Sequence, residues 1–373
     1  MRVIISGGGT GGHIYPAVTI AKALIEIAQP EALLFVGTRH GLEADIIPKE
    51  GYPLQMIEVA GFERKLTWDN FKNLFRVAGS LFQAKKIIAD FKPDLVIGTG
   101  GYVCGPVLFV ASIMGIPALI QEQNVIPGVT NRILARFVKT VAVGYKEAKT
   151  HFSASANVVY TGNPIRPDIV SASREEGLAA LGLRPDRITV LTAGGSRGAR
   201  SINSAMLEVH RRFSGSDNIQ ILHVTGQSEY NNIVGNYKQC GIDISNNGNI
   251  IIKPYLYNMP QALAAADLAV FRAGAIGLAE LTARGVPSIL IPYPYAAENH
   301  QEYNARVLEK EGAAIVIRDS ELTGQLLADT IHNIISESGK LKQMAESSLQ
   351  LGCPDAAYAI ANAALLLLDK RAR

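Results

Sequence analysis

The chain has 373 residues, a length that suits two domains better than one core. Hydrophobic residues make up 48% and charged residues 18%, which favours a packed globular protein and excludes general disorder. A formal net charge of +3 gives no argument for nucleic acid as a partner.

Short apolar runs alternate with helical stretches along the whole chain. They are continuous rather than alternating in polarity, as is typical of strands that are buried on both faces of a parallel sheet. The predicted strands are Val3–Ser6, Ala32–Val36, Leu54–Ile57, Asp94–Gly98, Pro117–Gln121, Thr140–Gly144, Asn157–Thr161, Ile188–Ala193, Ile219–Thr225, Asn249–Lys253, Asp267–Phe271, Pro287–Pro292 and Ala313–Ile317. The alternation predicts an α/β fold built from right-handed βαβ units.

The strand–helix pattern restarts near residue 187, after a turn-rich segment at 162–167. We therefore expect two Rossmann-like, doubly wound domains, 1–163 and 164–349, that face each other across a cleft. The last helix, at about 350–370, is free to pack back on the first domain. The apolar run from Gly105 to Ile120 is too short to span a membrane and is expected to form a buried helix and a strand.

No signal-peptide pattern opens the sequence. The three cysteines, Cys104, Cys240 and Cys353, are widely spaced and form neither a disulfide framework nor a zinc pattern. These features favour a reducing, cytoplasmic setting.

Glycine-rich loops follow three of the predicted strands, at 7–12, 98–106 and 194–198. Such loops let backbone N–H groups approach an anion, and the following helix adds the positive end of its dipole. The first loop has the GxGxxG spacing of dinucleotide-binding folds, but the next strand ends in Thr38-Arg39, without the acidic residue that would hold a ribose. This weakens a nicotinamide-cofactor interpretation, although Arg39 leaves an NADP phosphate possible.

Seven segments of the chain resemble the MurG-type glycosyltransferases of peptidoglycan synthesis and occur in that family's order. They are Gly7-Gly-Gly-Thr-Gly-Gly-His13-Ile-Tyr-Pro16, Gly100-Gly-Tyr102, Glu122-Gln123-Asn124 with Pro127-Gly128, Gly162-Asn-Pro-Ile-Arg166, Gly194-Gly-Ser196-Arg-Gly-Ala199, Arg272-Ala-Gly-Ala275 with Glu280, and Asn299-His-Gln301 before Asn304-Ala305. Cys104 departs from the family, where a small hydroxyl residue is common, so an acceptor contact through a hydroxyl is not expected there.

The resemblance implies a GT-B fold and inverting transfer of N-acetylglucosamine (GlcNAc) from UDP-GlcNAc to the 4-hydroxyl of undecaprenyl-pyrophosphoryl-MurNAc-pentapeptide, called lipid I. It implies an acceptor-side domain at 1–163 and a UDP-GlcNAc-binding domain at 164–349. Roles in cell wall biogenesis, cell shape and cell division would follow, at the cytoplasmic side of the bacterial membrane.

Inverting transfer needs a base for the acceptor hydroxyl, and His13 and Glu122 are the two candidates. Glu122 could instead orient His13, and a structural carboxylate is an equally good interpretation. For His13, positioning of the acceptor, helix capping or simple hydrogen bonding are the alternatives. Tyr102 is expected to line the acceptor side or to pack locally.

The resemblance assigns the donor to both halves of the chain. The expected donor-binding residues are Thr10, Gly11, Gly12, Asn124, Arg166, Ser196, Leu256, Ala275, Ile276, Gly277, Leu278, Ala279, Glu280 and Gln301. Among them, Glu280 would accept the ribose hydroxyls, and Ser196 with the N–H groups of Ala275 and Ile276 would hold the diphosphate.

No Asp-x-Asp motif occurs, so no cofactor and no protein-bound metal are expected. Residues 71–88 read as a basic amphipathic helix that is suited to an anionic membrane surface or to packing on the sheet. Its apolar positions are Phe71, Leu74, Phe75, Ala78, Leu81, Phe82 and Ile88, and its basic neighbours are Arg64, Lys65, Lys72, Arg76, Lys85 and Lys86.

Four alternatives stay open at this point. A UDP-GlcNAc 2-epimerase shares the fold but has no acceptor, and another GT-B transferase would differ in its acceptor. An NADP-dependent oxidoreductase is disfavoured by the missing ribose-binding acid and by the second nucleotide-type domain. A non-catalytic UDP-sugar binder would not need His13 and Glu122 together.

Overall fold

The computed structural model describes residues 1–59, 69–195, 198–239 and 248–369, and at 69–76, 238–239 and 369 it describes the backbone alone. The chain divides into two compact units. The first comprises Met1–Ile165 and Cys353–Arg373, and the second comprises Arg166–Gly352.

All thirteen predicted strands form, and every strand pairing is parallel. The strands are β1 (Arg2–Gly7), β2 (Ala32–Gly37), β3 (Leu54–Met56), β4 (Leu95–Gly100), β5 (Ala118–Glu122), β6 (Thr140–Val143), β7 (Val158–Tyr160), β8 (Ile188–Ala193), β9 (Ile219–Val224), β10 (Ile250–Lys253), β11 (Leu268–Phe271), β12 (Ser288–Leu290) and β13 (Ala314–Val316). The first unit has a seven-stranded sheet in the order β3-β2-β1-β4-β5-β6-β7, and the second a six-stranded sheet in the order β10-β9-β8-β11-β12-β13. The predicted pair of parallel α/β units is confirmed.

Helices connect the strands in both units. They are α1 (Gly11–Ala28), α2 (Glu43–Lys49), α3 (Asp69–Phe91), α4 (Cys104–Ile113), α5 (Val129–Leu134), α6 (Pro167–Ser171), α7 (Arg174–Leu181), α8 (Arg200–Phe213), α9 (Tyr230–Gln239), α10 (Met259–Ala265), α11 (Ala275–Ala283), α12 (His300–Lys310), α13 (Gly324–Ser336), α14 (Lys340–Leu351) and α15 (Ala356–Asp369). The apolar run at 105–120 forms α4 and β5, as expected from its length.

Both faces of the first sheet are covered, which explains why its strands are apolar throughout. One face packs against α1 and α15, where Ile14, Ile20 and Ile360 are fully buried. The other packs against α3, α4 and α5, where Ile88 and Leu108 are buried. The last helix thus belongs to the core of the first unit although it follows the second in sequence.

The second sheet is likewise packed by helices. On one face α8, α13 and α14 contribute Met206, Ile331 and Met344 to a core with the strands. A smaller cluster joins Leu178 and Leu183, near α7, to Ala265 of α10.

The order of strands reverses once in each sheet, and this reversal positions the candidate site. In the first sheet the chain winds outward from β1 in one direction and from β4 in the other, and in the second sheet from β8 and β11. Loops that follow such adjacent strands leave in opposite directions and open a crevice at the carboxyl edge, where doubly wound sheets bind ligands. The loops at 7–12 and 98–106 meet at this point in the first unit.

Among the described residues, one stretch is long and apolar enough to cross a membrane by length and composition, Lys340–Leu368. It consists of two helices, α14 and α15, that are separated at 352–355. Since Ile360, Ala361 and Ala364 of α15 are fully buried in the core of the first unit, core packing accounts for this apolar character.

Candidate functional site

The first glycine-rich loop is held by a carboxylate of the same unit. Glu43, at the start of α2, is fully buried and accepts a hydrogen bond from the backbone N–H of Gly9 at 2.9 Å. Its other oxygen accepts from the N–H and the hydroxyl of Thr38, at 2.9 and 2.7 Å. The glycine loop therefore already binds one anion, which is an internal one.

His13 lies in the first turn of α1, beside the loop that follows β4. Its Nδ1 is 3.0 Å from the carbonyl oxygen of Thr99 and 3.1 Å from Oε1 of Gln123. Both are acceptors, so Nδ1 carries a proton and the neutral ring has its lone pair on Nε2. The Thr99 hydroxyl also donates to the His13 carbonyl oxygen at 2.7 Å, which fixes the start of α1 against β4.

Glu122, the last residue of β5, is 1% exposed, and four N–H groups surround its carboxylate. Oε1 accepts from the backbone and side-chain N–H groups of Asn124, at 2.9 and 3.3 Å. Oε2 accepts from the N–H of Gly128 at 3.1 Å and from Asn131 at 2.8 Å. Glu122 thus organises the loop before α5, and this geometry favours its structural interpretation over a base.

The remaining candidates of the first unit lie around His13. Thr10, Gly11 and Gly12 form the start of α1, where the Thr10 side chain caps no N–H group of the helix. Tyr102 is 61% exposed in the loop that follows β4, where its ring is available to a ligand.

Cys104 does not line this surface. Its side chain is fully buried, and its single S–H proton faces the carbonyl oxygens of Ser6 and Gly100, each 3.0 Å from the sulfur. Burial raises the pKa of the Cys104 thiol to about 11, so the thiol stays protonated at neutral pH. The departure from the family's hydroxyl residue therefore alters a buried contact between β1 and β4.

In the second unit, the loop after β8 bends tightly through two glycines with positive φ, Gly195 and Gly198. A side chain at Gly198 would overlap the carbonyl oxygen of Thr225, so the loop approaches the end of β9 closely. Ser196, the predicted phosphate ligand of this loop, lies outside the described residues.

The start of α11 stands at the reversal point of the second sheet. Gly274 precedes the helix in an extended conformation, and its first turn contains no acidic residue and no side-chain cap. The first N–H groups of α11, at Ala275, Ile276 and Gly277, therefore remain available to an anion. Leu278 is buried in the same helix and contributes packing.

Glu280 lies on the same helix, α11, and the pKa of its carboxyl is raised. Burial raises the pKa of Glu280 to about 7, while Arg166 lowers it and Asp168 raises it further. Arg166 itself forms an ion pair with Asp168 at 3.6 Å. Perturbed carboxyls of this kind concentrate at ligand sites.

Gln301 is already partly engaged. Its Oε1 accepts the N–H of Tyr293 at 2.9 Å, which leaves the amide NH2 to a ligand. Two consecutive residues with positive φ, Glu298 and Asn299, precede it, and such strain commonly accompanies functional loops. Leu256, in the segment after β10, is 8% exposed.

Arg272, which the sequence offers only as part of a motif, is the centre of a polar cluster beside α11 and is 13% exposed. Arg272 donates to the carbonyl oxygens of Ile291 and Pro292, both at 3.1 Å, and to Asp319. It also donates to Ser201, on α8, at 2.9 Å. The sequence analysis missed Glu43 and Gln123, because their roles depend on partners 34 and 110 residues away in sequence.

The described part of α3 differs from the predicted amphipathic face. Ile88 is 1% exposed in the core, whereas Phe82 is 72% exposed, so the two do not share one face. Arg64 and Lys65, and the side chains of Phe71, Lys72, Leu74, Phe75 and Arg76, lie outside the described residues. Of the predicted apolar positions whose side chains are described, Ile88 is buried and Leu81 is partly buried, whereas Ala78 and Phe82 are exposed.

Two family models match the chain in order. The glycosyltransferase family 28 N-terminal domain matches residues 3–143, and the family 28 C-terminal domain matches residues 189–360. A solved structure described as MurG of Acinetobacter baumannii is 28% identical with a TM-score of 0.79, and the alignment covers 98% of this chain and 99% of that one. A UDP-N-acetylglucosamine 2-epimerase structure, 12% identical with a TM-score of 0.67, shares the fold alone.

Curated relatives cover nearly the whole chain. A protein of Desulforamulus reducens is 52% identical over 95% of this chain and 96% of its own length. A protein of Halothermothrix orenii is 48% identical over 97% of this chain and 98% of its own length. Both are named UDP-N-acetylglucosamine–N-acetylmuramyl-(pentapeptide) pyrophosphoryl-undecaprenol N-acetylglucosamine transferase. The chain belongs to glycosyltransferase family 28, in the group of these MurG-type N-acetylglucosamine transferases.

Proposed function

We propose that this protein transfers GlcNAc from UDP-GlcNAc to the 4-hydroxyl of the MurNAc residue of lipid I, with inversion at the sugar C1. The identity of about half the residues with transferases of this name supports the reaction. The observation that carries the chemistry is the pair of acceptors at His13 Nδ1, which assigns the N–H to Nδ1 and the lone pair of the neutral ring to Nε2.

In the proposed step, Nε2 of His13 removes the proton of the acceptor hydroxyl as its oxygen attacks C1 of GlcNAc. A bond forms between that oxygen and C1, and the bond between C1 and the diphosphate oxygen breaks on the opposite face. UDP leaves with the bonding electrons, and the proton stays on the imidazole until solvent removes it. General base catalysis of this kind contributes about 10²–10⁴-fold to a rate.

Glu122 takes a supporting part in this proposal. Its four N–H partners hold the loop that carries Asn124, and Asn124 is the proposed contact to the GlcNAc ring. Both carboxylate oxygens are directed to N–H donors of this loop, which is why Glu122 is given the supporting part and His13 the base.

The donor nucleotide is proposed to bind the second unit. The free N–H groups at the start of α11 would bind the diphosphate, and the N-terminal dipole of the helix would stabilise the charge that develops on UDP. The Glu280 carboxylate would accept the two ribose hydroxyls. Gln301 would offer its free NH2 group to sugar hydroxyls, and Arg166, Ser196 and Leu256 would complete the nucleotide contacts.

The lipid-linked acceptor requires access to a membrane, and we propose a peripheral contact on the cytoplasmic side through the face formed by α3, α4 and α5. Large apolar side chains stand exposed there on neighbouring helices: Phe82 (72%), Ile113 (66%), Met114 (40%), Val129 (50%), Ile133 (56%) and Phe137 (45%). Exposed basic residues accompany them, including Lys85, Lys86 and Arg136. Apolar insertion combined with cationic contacts is how proteins bind anionic bilayer surfaces.

The reaction is tested by incubating the purified protein with labelled UDP-GlcNAc, with and without a short-chain lipid I analogue. The proposal predicts label in the lipid product only when the analogue is present. Accumulation of UDP-ManNAc without acceptor would instead establish an epimerase. Donor binding without any product would refute the acceptor assignment.

A further inference from the structure

A chain of three buried side-chain amides connects His13 to the end of the first unit. Gln123, Gln121 and Asn163 are 2%, 0% and 3% exposed. Gln121 donates to Oδ1 of Asn163 at 2.9 Å, and Gln123 donates to Oε1 of Gln121. Gln121 and Asn163 have no part in the proposed transfer step.

The orientation of each amide follows from the one before it, beginning at Asn163. The Asn163 NH2 group donates to the backbone carbonyl oxygen of Gln123 at 2.9 Å, and a carbonyl can only accept. The oxygen of Asn163 therefore faces Gln121, which must turn its NH2 toward it. The oxygen of Gln121 is then left to face the NH2 of Gln123.

The chain ends on the imidazole. The Gln123 NH2 group donates to Oε1 of Gln121 and, at 2.5 Å, to the carbonyl oxygen of Thr99. The Oε1 atom of Gln123 must therefore face Nδ1 of His13. Thr99 supplies the second acceptor. Rotation of the ring by half a turn would exchange Nδ1 for a carbon and lose both bonds.

Two glycines show how closely this chain is enclosed. A side chain at Gly144 would overlap the amide of Asn163, and one at Gly100 would come within 2.5 Å of Nδ1 of His13. The backbone thus leaves room for the amides and the ring only in their present places.

We propose that Asn163 is a positioning residue, which acts through Gln121 and Gln123 to hold His13 in one orientation and as its Nδ1–H tautomer. Its significance for catalysis rests on the proposed function, in which Nε2 is the base. The tautomer itself does not depend on any substrate.

The test is nitrogen NMR of the full-length protein with 15N-labelled histidine, at alkaline pH and without substrate. The His13 signals are those that disappear in His13→Gln. Wild type is expected to show a protonated Nδ1 and an unprotonated Nε2. Asn163→Leu and Gln123→Met are expected to move both nitrogen shifts toward averaged values, because the Gln123 oxygen is no longer fixed or is removed and the Thr99 carbonyl oxygen is left as the one fixed acceptor.

Matched controls are available in the second unit. Gln220→Met and Asn249→Leu also remove buried, hydrogen-bonded amides, but these lie far along the chain from His13 and in the other sheet. They are expected to leave the His13 signals unchanged. If Asn163→Leu does not fold, Gln121→Met interrupts the same chain one residue further along.

Steady-state kinetics give the second measurement. Asn163→Leu is expected to lower kcat about tenfold, the effect of losing one net hydrogen bond at the ring, with KM for UDP-GlcNAc unchanged. A wild-type His13 protonated at Nε2, or an Asn163→Leu spectrum identical to that of wild type, would overturn the proposal. If the wild type transfers no sugar, the proposed function fails, and the NMR result still decides on the positioning.

Discussion

The carboxylate of Glu43 accepts the N–H of Gly9 at 2.9 Å, so a side chain of the same unit occupies part of the anion-binding capacity of the first glycine loop. The other two donors described for this buried carboxylate are the N–H and the hydroxyl of Thr38, so all three are neutral. Since the N–H of Gly9 is bound by this carboxylate, it is not available to a phosphate.

Replacement of Glu43 by glutamine is expected to destabilise the protein. The amide NH2 would face either the Gly9 N–H or the Thr38 donors, and an unsatisfied buried donor costs about 1–3 kcal/mol. Denaturant unfolding of Glu43→Gln measures the change. Glu50→Gln, which removes only the surface ion pair with Lys22, is the control, with an expected loss of about 0–1 kcal/mol. Equal losses in both variants would contradict the assigned role.

Glu122→Gln is expected to lower stability by a similar 1–3 kcal/mol, because a new NH2 group meets N–H donors in the loop before α5. The loss of kcat should remain far below the 10²–10⁴-fold that removal of a general base causes. The shape of the pH–rate profile should be retained. Disappearance of one limb of that profile in Glu122→Gln would show that Glu122 is the base after all.

The affinity for UDP is expected to rise with pH through neutrality. Burial raises the pKa of Glu280 to about 7, and only the ionised carboxylate can accept both ribose hydroxyls. Below that pKa each pH unit should weaken binding by up to about tenfold. Titration calorimetry from pH 6 to 8 measures this, with Glu280→Gln as the control for the titration of UDP itself. An identical pH dependence in wild type and variant would contradict the assignment.

Two buried histidines predict sensitivity to acid. Burial lowers the pKa of His223 to about 3, and burial together with His223 lowers that of His210. Because the unfolded chain binds these protons near pH 6.5, the stability they contribute is complete above pH 6.5. It is lost as the pH falls toward the folded-state pKa, by about 1.4 kcal/mol per histidine and pH unit.

Acid unfolding curves of His223→Gln test this expectation. The amide can still donate to Oδ1 of Asn203, the present partner of His223 at 3.0 Å, but it does not titrate. The variant should therefore lose stability less steeply below pH 6.5 than wild type. His151→Gln, at an exposed position, should leave the slope unchanged. Parallel curves for wild type and His223→Gln would contradict the account.

The proposed membrane face is tested by vesicle sedimentation with anionic phospholipids. The double substitution Phe82→Ser and Ile133→Ser should weaken binding about tenfold or more, since each side chain would no longer bury its apolar area in the bilayer. Leu366→Ser is the matched control. Leu366 is 58% exposed on α15, which packs on the opposite face of the same sheet. A similar loss in the control would contradict the assigned face.

The sequence predicted every strand because both sheets are parallel and buried on both faces. Such strands are mainly apolar along their length, as in Ile188–Ala193, which two glycines follow. It also predicted that the glycine loops would follow strands, because this pattern is local. The reversal points that bring the loops after β1 and β4 together depend on strand order, which no local pattern contains.

The sequence predicted which segments form the candidate site, but it predicted the role of each residue only in part. Nothing in the sequence distinguished His13 from Glu122 as the base, since both follow strands. Their hydrogen bonds distinguish them: the Glu122 carboxylate is saturated, and His13 keeps Nε2 for a ligand. Glu43 was not predicted because it lies six residues beyond the end of β2 at Gly37, whereas an acidic residue was sought at the strand end itself.

The central claim is that His13 is the general base, and transfer kinetics of His13→Gln test it most directly. The account predicts a fall in kcat of about 10²–10⁴-fold, with the dissociation constant of UDP unchanged because His13 does not hold the nucleotide. A kcat within a few-fold of wild type, or a loss explained entirely by weaker donor binding, would contradict the claim.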